Sequence, residues 1–194
     1  MSILARSSHV STANNDHGGT AAPGAPAEAS TTLTQAARQG LALLRIAFGL
    51  TFLWAFVDKL FGLGYATKAA DSWLNGGSPT TGFLKFGSTG PFKGFYNSIA
   101  GDMWVNVLFM AALLAIGVAL TLGIGMRLAG VGGTLLYLMM WTVALPPENN
   151  PVIDVHILGA ISIAVLALTL SGNTWGLGHR WSGTALARKF SVLR

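Results

Sequence analysis

The sequence predicts an all-α integral membrane protein, a four-helix up-down bundle with an amphipathic external loop. Two observations predict this fold. Hydrophobic residues make up 52% of the 194-residue chain and charged residues only 10%, well short of the roughly 25% that is typical of soluble domains. The apolar residues are also gathered into blocks, each close to the roughly 20 residues that a helix needs to cross a bilayer.

Four predicted spans follow one another at about residues 41–63, 104–124, 127–145 and 152–170. The first starts too late and runs too long for a cleaved signal peptide, so we expect it to remain as an anchor. Because only a few residues, Gly123 to Arg127, join the second and third spans, these two are predicted to form an antiparallel hairpin. The link at 146–151 makes another, in which Asn150 caps the fourth helix and Pro151 is its first residue.

The segments outside the spans differ in composition. Residues 1–39 are rich in Ser, Thr, Ala, Pro and Gly, which predicts a disordered tail, and residues 182–194 form a basic tail. The connection at about 64–103 contains a predicted surface helix that begins at Pro91. Its apolar residues follow the spacing of one helical face, namely Phe92, Phe95, Tyr96 and Ile99. Such a helix is predicted to lie at the membrane surface.

The flanking Lys and Arg residues predict the orientation, because cytoplasmic loops retain more positive charge than translocated ones. One side carries Arg6, Arg38, Arg127, Arg180, Arg188, Lys189 and Arg194. The other side carries only Lys68, Lys85 and Lys93. Both termini are therefore predicted to be cytoplasmic, in a multi-pass protein of the plasma (inner) membrane.

Small residues recur at every fourth position on the second and third spans. One ridge is Ala111, Ala115, Ala119 and Gly123, and the other is Gly125, Ala129 and Gly133. Helices in lipid associate where small residues let backbones approach, which predicts that the two ridges face each other. The alternative is that Ala and Gly are simply common in membrane helices.

Composition also excludes several functions. The chain has no cysteine, which excludes disulfides, thiolate metal sites and covalent CxxCH haem attachment. It contains no flavin or metal motif. The net charge of +5 is not accompanied by a basic helix, an aromatic platform or zinc-ligand spacing, so nucleic acid is not a predicted partner. The predicted partner is the lipid bilayer.

Charged residues inside the first span need an explanation, because ionisable groups are costly at membrane depth. Arg45 lies about one turn inside the cytoplasmic end. It can extend to the lipid headgroups, or turn inward beside Gly49 and bind an anionic headgroup, a quinone oxygen or a neighbouring helix terminus. Asp58 and Lys59 are adjacent and point about 100° apart on a helix, so one of the two is predicted to face the bundle.

The fourth span begins with two more polar residues. Asp154 is explained structurally as a carboxylate in the first helical turn, and His156 is either a hydrogen-bonded packing residue or a proton-exchanging group. Up-down topology places them in the same half of the bilayer as Lys59. The predicted site has Lys59, Asp154 and His156 as catalytic residues and Asp58, Tyr137, Trp141 and Arg45 as cofactor-binding residues. The same group also suits a purely structural polar cluster.

Several segments of residues 40–181 resemble the DoxX/DoxD family of four-helix bacterial membrane proteins. They are Leu44-Arg45-Ile46, residues 58–62 (DKLFG), residues 73–80 (WLNGGSPT), residues 123–127 (GIGMR) and residues 172–178 (GNTWGLG). Members of this family are similar to the large subunit of thiosulfate:quinone oxidoreductase. The resemblance therefore implies an oxidoreductase subunit that uses membrane quinone as its cofactor, with a second subunit as its partner.

Two other functions remain open. Some relatives in this family are linked to oxidative-stress complexes, so the chain is alternatively a noncatalytic scaffold or assembly partner of an oxidative-stress or respiratory complex. A transporter is the third hypothesis, but four helices without repeats or broken segments suit it poorly unless the chain forms a homo-oligomer. The family resemblance does not assign catalytic residues.

Overall fold

Four apolar helices are the longest elements of the protein. The structure is a computed structural model, and it describes residues 33–148 and 150–193. The helices in this part are α1 (Gln35–Phe61), α2 (Lys93–Ile99), α3 (Met103–Leu122), α4 (Met126–Val143), α5 (Val155–Leu168), α6 (Gly178–Ser182) and α7 (Ala185–Lys189). No strand occurs among these residues, and the all-α prediction is confirmed for them.

Three of the helices are long and apolar enough to cross a membrane. These are α1, α3 and α4, with 27, 20 and 18 residues, whereas α5 is a shorter apolar helix of 14 residues. Each of the four exposes large apolar side chains, such as Leu50, Leu108, Leu135 and Ile161. Apolar surface of this extent is typical of helices that contact lipid. These features support a membrane protein.

The observed helix ends differ from the predicted spans. The Thr34 side chain caps α1 by accepting the Ala37 N–H at 3.2 Å, so residues 35–39 are helical rather than part of a tail. The predicted cap at Asn150 is wrong, because its side chain accepts the N–H groups of Val152 and Ile153 in a turn before α5. Pro151 lies in that turn and not in the helix. The predictions for residues 1–32, Asn149 and Arg194 lie outside the described residues.

The connection between α1 and α3 is folded. It contains short turns at Ala69–Asp71 and Trp73–Asn75, a π-helical turn at Gly82–Phe86 and a turn at Gly90–Phe92 that leads into α2. The predicted surface helix is therefore present. Its Tyr96 is buried against Leu84 and Val143, while Phe92 and Phe95 remain exposed. Only part of the predicted apolar face packs against the protein.

The residues after α5 fold back onto the turn between α3 and α4. The Leu177 N–H donates to the Leu122 carbonyl at 2.8 Å, and Trp181 Nε1 donates to the Leu193 carbonyl at 2.5 Å. The predicted tail from residue 182 thus contains α7 and a final turn, Ser191–Leu193. We call the region formed by residues 33–38, 122–127 and 172–193 the basic end.

Glycines show that α1 and α3 approach closely. A Cβ added at Gly49 would lie 2.6 Å from the Thr121 backbone nitrogen, and one added at Gly117 would lie 2.8 Å from Leu53 Cγ. Residue numbers rise along α1 as they fall along α3, so this pair is antiparallel. Both contacts depend on the missing side chain, because a methyl group would have to displace the neighbouring helix.

The same kind of contact joins α4 to α5. A Cβ at Gly133 would lie 3.0 Å from Ile163 Cδ1, and one at Gly159 would lie 2.7 Å from Tyr137 Cζ. This pair is also antiparallel. Buried side chains of all four helices then meet in one core, which includes Phe52, Met110, Leu113, Ile116, Leu120, Leu136, Ile163 and Leu166.

By contrast, a groove of about 420 Å³ lies between α3 and α4. Ala115, Ala119 and Ala129 line it, so the two predicted small-residue ridges border a groove rather than pack in contact. Ala115 is exposed, and Gly133 faces α5. The two small faces thus line one groove, as neighbours, but the spacing did not predict the closer contact of Gly133 with Ile163 of α5.

We predict that Gly133→Leu destabilises the protein and that Ala115→Leu does not. A leucine at position 133 would collide with Ile163 and force α4 from α5, at a cost of about 1–3 kcal/mol. A leucine at position 115 has room in the groove. Thermal unfolding in detergent would measure both variants, and equal melting temperatures would contradict the close contact between α4 and α5.

Candidate functional site

Arg45 is fully buried and binds backbone carbonyl groups. Its guanidinium donates to the carbonyls of Leu120 and Thr121 in the last turn of α3, and to those of Thr174 and Trp175 beyond α5. The last carbonyls of a helix lack intrahelical partners and carry the negative end of the helix dipole. Arg45 therefore caps α3. The prediction that Arg45 extends to the headgroups is wrong. Of the three inward partners considered, the one that it binds in the structure is the terminus of a neighbouring helix.

Glycines make room for this guanidinium. A Cβ at Gly123 would lie 2.9 Å from Arg45 Nη1, and one at Gly176 would lie 3.0 Å from Nη2. Gly123 also has a φ of 72°, the left-handed conformation that ends α3. No carboxylate in the described residues forms an ion pair with Arg45. Carbonyl dipoles alone compensate its charge, so its role in this structure is to hold segments together.

Asp58 is also buried, and it fixes the chain that leaves α1. Its carboxylate oxygens accept the backbone N–H groups of Tyr65 at 3.3 Å and Ala66 at 3.0 Å. Its own carbonyl accepts the N–H of Gly62, which ends the helix. Asp58 is predicted to bind a cofactor, but in the structure both of its carboxylate oxygens accept hydrogen bonds from the loop that covers it.

Lys59 lines a cavity of about 560 Å³ that opens between α3 and α4. The wall is almost entirely apolar and includes Phe83, Phe109, Leu136, Met139 and Met140, with Thr80 and Tyr96 as its other polar residues. The ammonium lies 6.0 Å from the centroid of the Phe109 ring, a distance that allows a cation–π contact. In the described part of the chain Lys59 forms no direct ion pair, although the adjacent Asp58 attracts its charge. The cavity therefore offers one cationic hydrogen-bond donor in an apolar enclosure.

Asp154 and His156 form a hydrogen-bonded pair at the start of α5. Asp154 is the N-cap, and its Oδ1 accepts the N–H groups of His156 at 2.9 Å and Ile157 at 3.1 Å. Its Oδ2 lies 2.6 Å from His156 Nδ1. When Nδ1 carries the proton for this bond, Nε2 of the imidazole is left as an acceptor. The pair thus combines helix capping with a histidine held in one orientation.

Aromatic rings surround this pair on its protein side. The His156 ring centroid lies 6.3 Å from that of Tyr137 and 6.5 Å from that of Phe83. Tyr137 also makes edge contacts with Phe48 and Phe52 of α1. Tyr137 therefore links α1, α4 and α5 and forms an aromatic wall beside His156.

The predicted site residues occupy neighbouring positions rather than one pocket. Phe83 lines the Lys59 cavity, and its ring centroid also lies 6.5 Å from that of His156, so the Phe83 ring is next to both. Asp154 lines a different cavity, of about 520 Å³, together with Glu148. Trp141 donates its Nε1–H to the Val152 carbonyl at 2.8 Å, so its polar group is used by the backbone. Arg45 lies near the other end of α1, away from this group.

Sequence reasoning missed a second set of polar residues near the cavity. Buried Asn106 accepts hydrogen bonds from the hydroxyls of Ser78 at 2.9 Å and Thr80 at 2.7 Å, and it donates to the Gly101 carbonyl at 3.1 Å. The Tyr96 hydroxyl lies 2.5 Å from that of Thr142. An asparagine inside an apolar block is itself a signal of a polar contact. These bonds attach the loop and α2 to the wall of the cavity.

Compared with models of known families, with curated proteins and with solved structures, the chain matches none. Among the described residues, no group of three or more His, Asp or Glu side chains is placed to hold a metal ion. The candidate site is therefore described from the structure alone. It consists of an apolar cavity lined by Lys59 and of the Asp154–His156 pair next to the ring of Phe83.

We predict that Arg45→Gln lowers stability by about 1–3 kcal/mol, because it removes the charged donor of four backbone carbonyl groups and leaves buried acceptors without all of their partners. Arg45→Lys should not restore the loss, since one ammonium cannot span all four acceptors. Arg38→Gln removes the same charge from an exposed position of α1 and should be close to neutral. Chemical denaturation in detergent would measure all three, and a stable Arg45→Gln variant would contradict the capping role.

Proposed function

We propose that this chain is a DoxX/DoxD-like membrane subunit of a quinone-linked oxidoreductase, of the thiosulfate:quinone type, and that the Lys59 cavity holds the quinone headgroup. The observation that carries the proposal is the cavity itself. Its volume of about 560 Å³ lies within the roughly 300–1,000 Å³ of small-molecule sites, which are typically apolar with a few placed polar groups.

The position of the cavity suits a ligand that is dissolved in lipid. Its opening between α3 and α4 is lined by Leu108, Leu135 and Met139, which are exposed on the outer face of these helices. A hydrophobic molecule could therefore reach the cavity sideways from the bilayer. Lys59 would donate a hydrogen bond to a quinone oxygen, and its charge would stabilise negative charge that develops there.

The Asp154–His156 pair would exchange protons with the bound quinone. A bound quinone takes up or releases protons with its electrons, and a histidine is suited to this exchange near neutral pH. Asp154 would orient the ring through Nδ1 and leave Nε2 for the proton. His156 does not itself line the cavity, so direct exchange would require side chains such as Phe83, which is next to both, to move. A second subunit would supply the electrons or bind the sulfur substrate.

The second candidate function is a noncatalytic scaffold or assembly partner of an oxidative-stress or respiratory complex. The observation that favours it is that most predicted site residues already have structural bonds. Arg45, Asp58 and Trp141 bind backbone groups, and Asp154 caps a helix. Among the described residues, Lys59 and Tyr137 are the predicted site residues whose contacts are with aromatic rings rather than hydrogen bonds. Experiments on the Lys59 cavity therefore separate the two functions.

We also propose that α1, α3, α4 and α5 form an up-down bundle in the plasma membrane, with both termini cytoplasmic. Antiparallel contacts between helices and the distribution of charge support this arrangement. The basic end contains no Asp or Glu. The carboxylates of the described residues lie elsewhere, at Asp58, Asp71, Asp102, Glu148 and Asp154. Positive charge that is concentrated at one end favours a cytoplasmic location for that end.

Reporter fusions would test this topology. We expect a tag after residue 194 and a tag before residue 1 to be protected in intact cells, and a tag inserted at Gly64 or Gly94 to be accessible from outside. A C-terminal tag that is accessible from outside would contradict the orientation. If the two termini lay on opposite sides, the number of spans would be odd and the four-helix arrangement would be wrong.

For the quinone site, we predict that Lys59→Met lowers the quinone retained by the purified protein about tenfold or more, because a hydrogen bond from a charged donor contributes about 1.5–3 kcal/mol. Lys68→Met is the matched control, since Lys68 is exposed and lies outside the cavity. Solvent extraction and chromatography would measure quinone per protein after gentle purification. Retention by Lys59→Met at the wild-type level would rule out the site.

Variants of the Asp–His pair separate the two functions. Under the quinone hypothesis, His156→Leu and Asp154→Asn lower quinone-linked activity while expression and assembly stay close to wild type. Under the scaffold hypothesis, any loss of activity follows a loss of folding or of the partner subunit. Co-purification of a partner without quinone, from the wild type, would favour the scaffold.

A further inference from the structure

The basic end exposes large apolar side chains beside its cations. Trp175, Leu186, Phe190 and Val192 are 58%, 59%, 51% and 57% exposed. Exposed cations alternate with them in the sequence, at Arg180, Arg188 and Lys189. A surface that contacted only water would rarely combine so many large apolar groups in one short stretch. The combination is typical of segments that lie at a membrane interface.

Packing fixes this surface in place. Thr184 caps α7 through the Ala187 N–H at 3.3 Å, and Ala187 is the buried residue of that helix. Leu186 and Phe190 are four residues apart and therefore lie on one side, where both are exposed. Trp181 attaches the last turn through its bond to the Leu193 carbonyl. The apolar side chains thus point outward from a folded segment.

Within the part of the chain that the structure describes, no acidic side chain pairs with the cations of this surface. Residues 172–193 contain no Asp or Glu, and neither does the adjoining turn at 122–127. Lys189 Nζ lies 5.6 Å from the centroid of Phe190, so the cation and the apolar ring share one site on the surface. An anionic partner with an apolar body would satisfy both groups.

We propose that residues 175–193 form a binding surface for anionic phospholipids. Arg180, Arg188 and Lys189 contact the headgroup phosphates, while Leu186 and Phe190 lie among the upper parts of the acyl chains. This proposal goes beyond the quinone site and does not depend on it. Nucleic acid is the other class of partner with phosphates, but it would leave exposed aliphatic side chains such as Val192 without a contact.

A groove beside the surface offers space for an acyl chain. It has a volume of about 880 Å³ and runs between α4 and α5. Its wall is apolar and includes Val131, Leu135, Ala164 and Leu168, and Val192 borders it at the basic end. A lipid whose headgroup is bound by the cations could place one chain along this groove. The groove and the charged surface therefore fit the same molecule.

Competition between two lipids would test the proposal. Full-length protein in detergent is equilibrated with equal amounts of phosphatidylglycerol and phosphatidylcholine that carry identical chains, and the retained lipid is counted by native mass spectrometry. We expect the wild type to prefer phosphatidylglycerol. In the triple variant Arg180→Gln, Arg188→Gln, Lys189→Gln, the ratio of retained phosphatidylglycerol to retained phosphatidylcholine should fall about fivefold or more.

The matched control removes the same charge elsewhere. The triple variant Lys68→Gln, Lys85→Gln, Lys93→Gln changes exposed lysines of the α1–α3 connection, and it should keep the preference. Raising salt from about 0.1 M to about 1 M shortens the screening length from about 10 Å to about 3 Å, and it should weaken the wild-type preference without any mutation.

Three results would overturn the proposal. They are equal retention of the two lipids by the wild type at low salt, equal loss in the two triple variants, and tighter binding of a single-stranded RNA oligonucleotide than of phosphatidylglycerol. Fluorescence anisotropy of a labelled oligonucleotide would measure the last of these.

Discussion

The arrangement of the helices depends on one buried guanidinium. Arg45 belongs to α1, yet its hydrogen bonds go to the end of α3 and to the segment after α5. Backbone groups that have no partner are costly in an apolar medium, and the end of a helix always presents several. One arginine satisfies carbonyls from two separate segments, which explains why Gly123 and Gly176 leave space around it.

The four long helices form two close pairs, α1 with α3 and α4 with α5, and the packing between the pairs is looser. Glycines bring α1 onto α3 and α4 onto α5. The Lys59 cavity and the groove lined by Ala115 lie where α3 and α4 are less closely packed. Ala112 and Gly132 line both of these spaces. The close contacts within the pairs α1–α3 and α4–α5 hold these helices together, while space remains between α3 and α4.

Much of the fold could be predicted from the sequence, because helix length and apolar composition are local properties. The sequence predicts Asp154 in the first turn of its helix, whereas the structure has it one residue earlier, as the N-cap of α5. The preference of a carboxylate for the free N–H groups at a helix start explains the prediction and the observed position alike. The partners of Arg45 could not be predicted, because they lie 75 to 130 residues away and are backbone groups without a sequence pattern. Similarly, spacing shows that a helix has a small face but not every neighbour that meets it. A Cβ at Gly133 would contact Ile116 of α3, the predicted neighbour, and would lie closer still to Ile163 of α5. The binding partners of Asp58 could not be predicted either, because they are backbone groups of the loop that covers its side chain.

The bonds of Arg45 also constrain the order in which the protein can be completed. Residues of α1 leave the ribosome before those of α3, α4 and α5, and chains generally fold from the N-terminus as they are made. The carbonyls of Leu120 and Thr121 become available when α3 has been synthesised, but those of Thr174 and Trp175 appear only after all four apolar helices. Until then the arginine has half of its final partners. Although α1 precedes α3, α4 and α5 in the chain, its arginine therefore acquires its last partners only when the segment that follows α5 has been made.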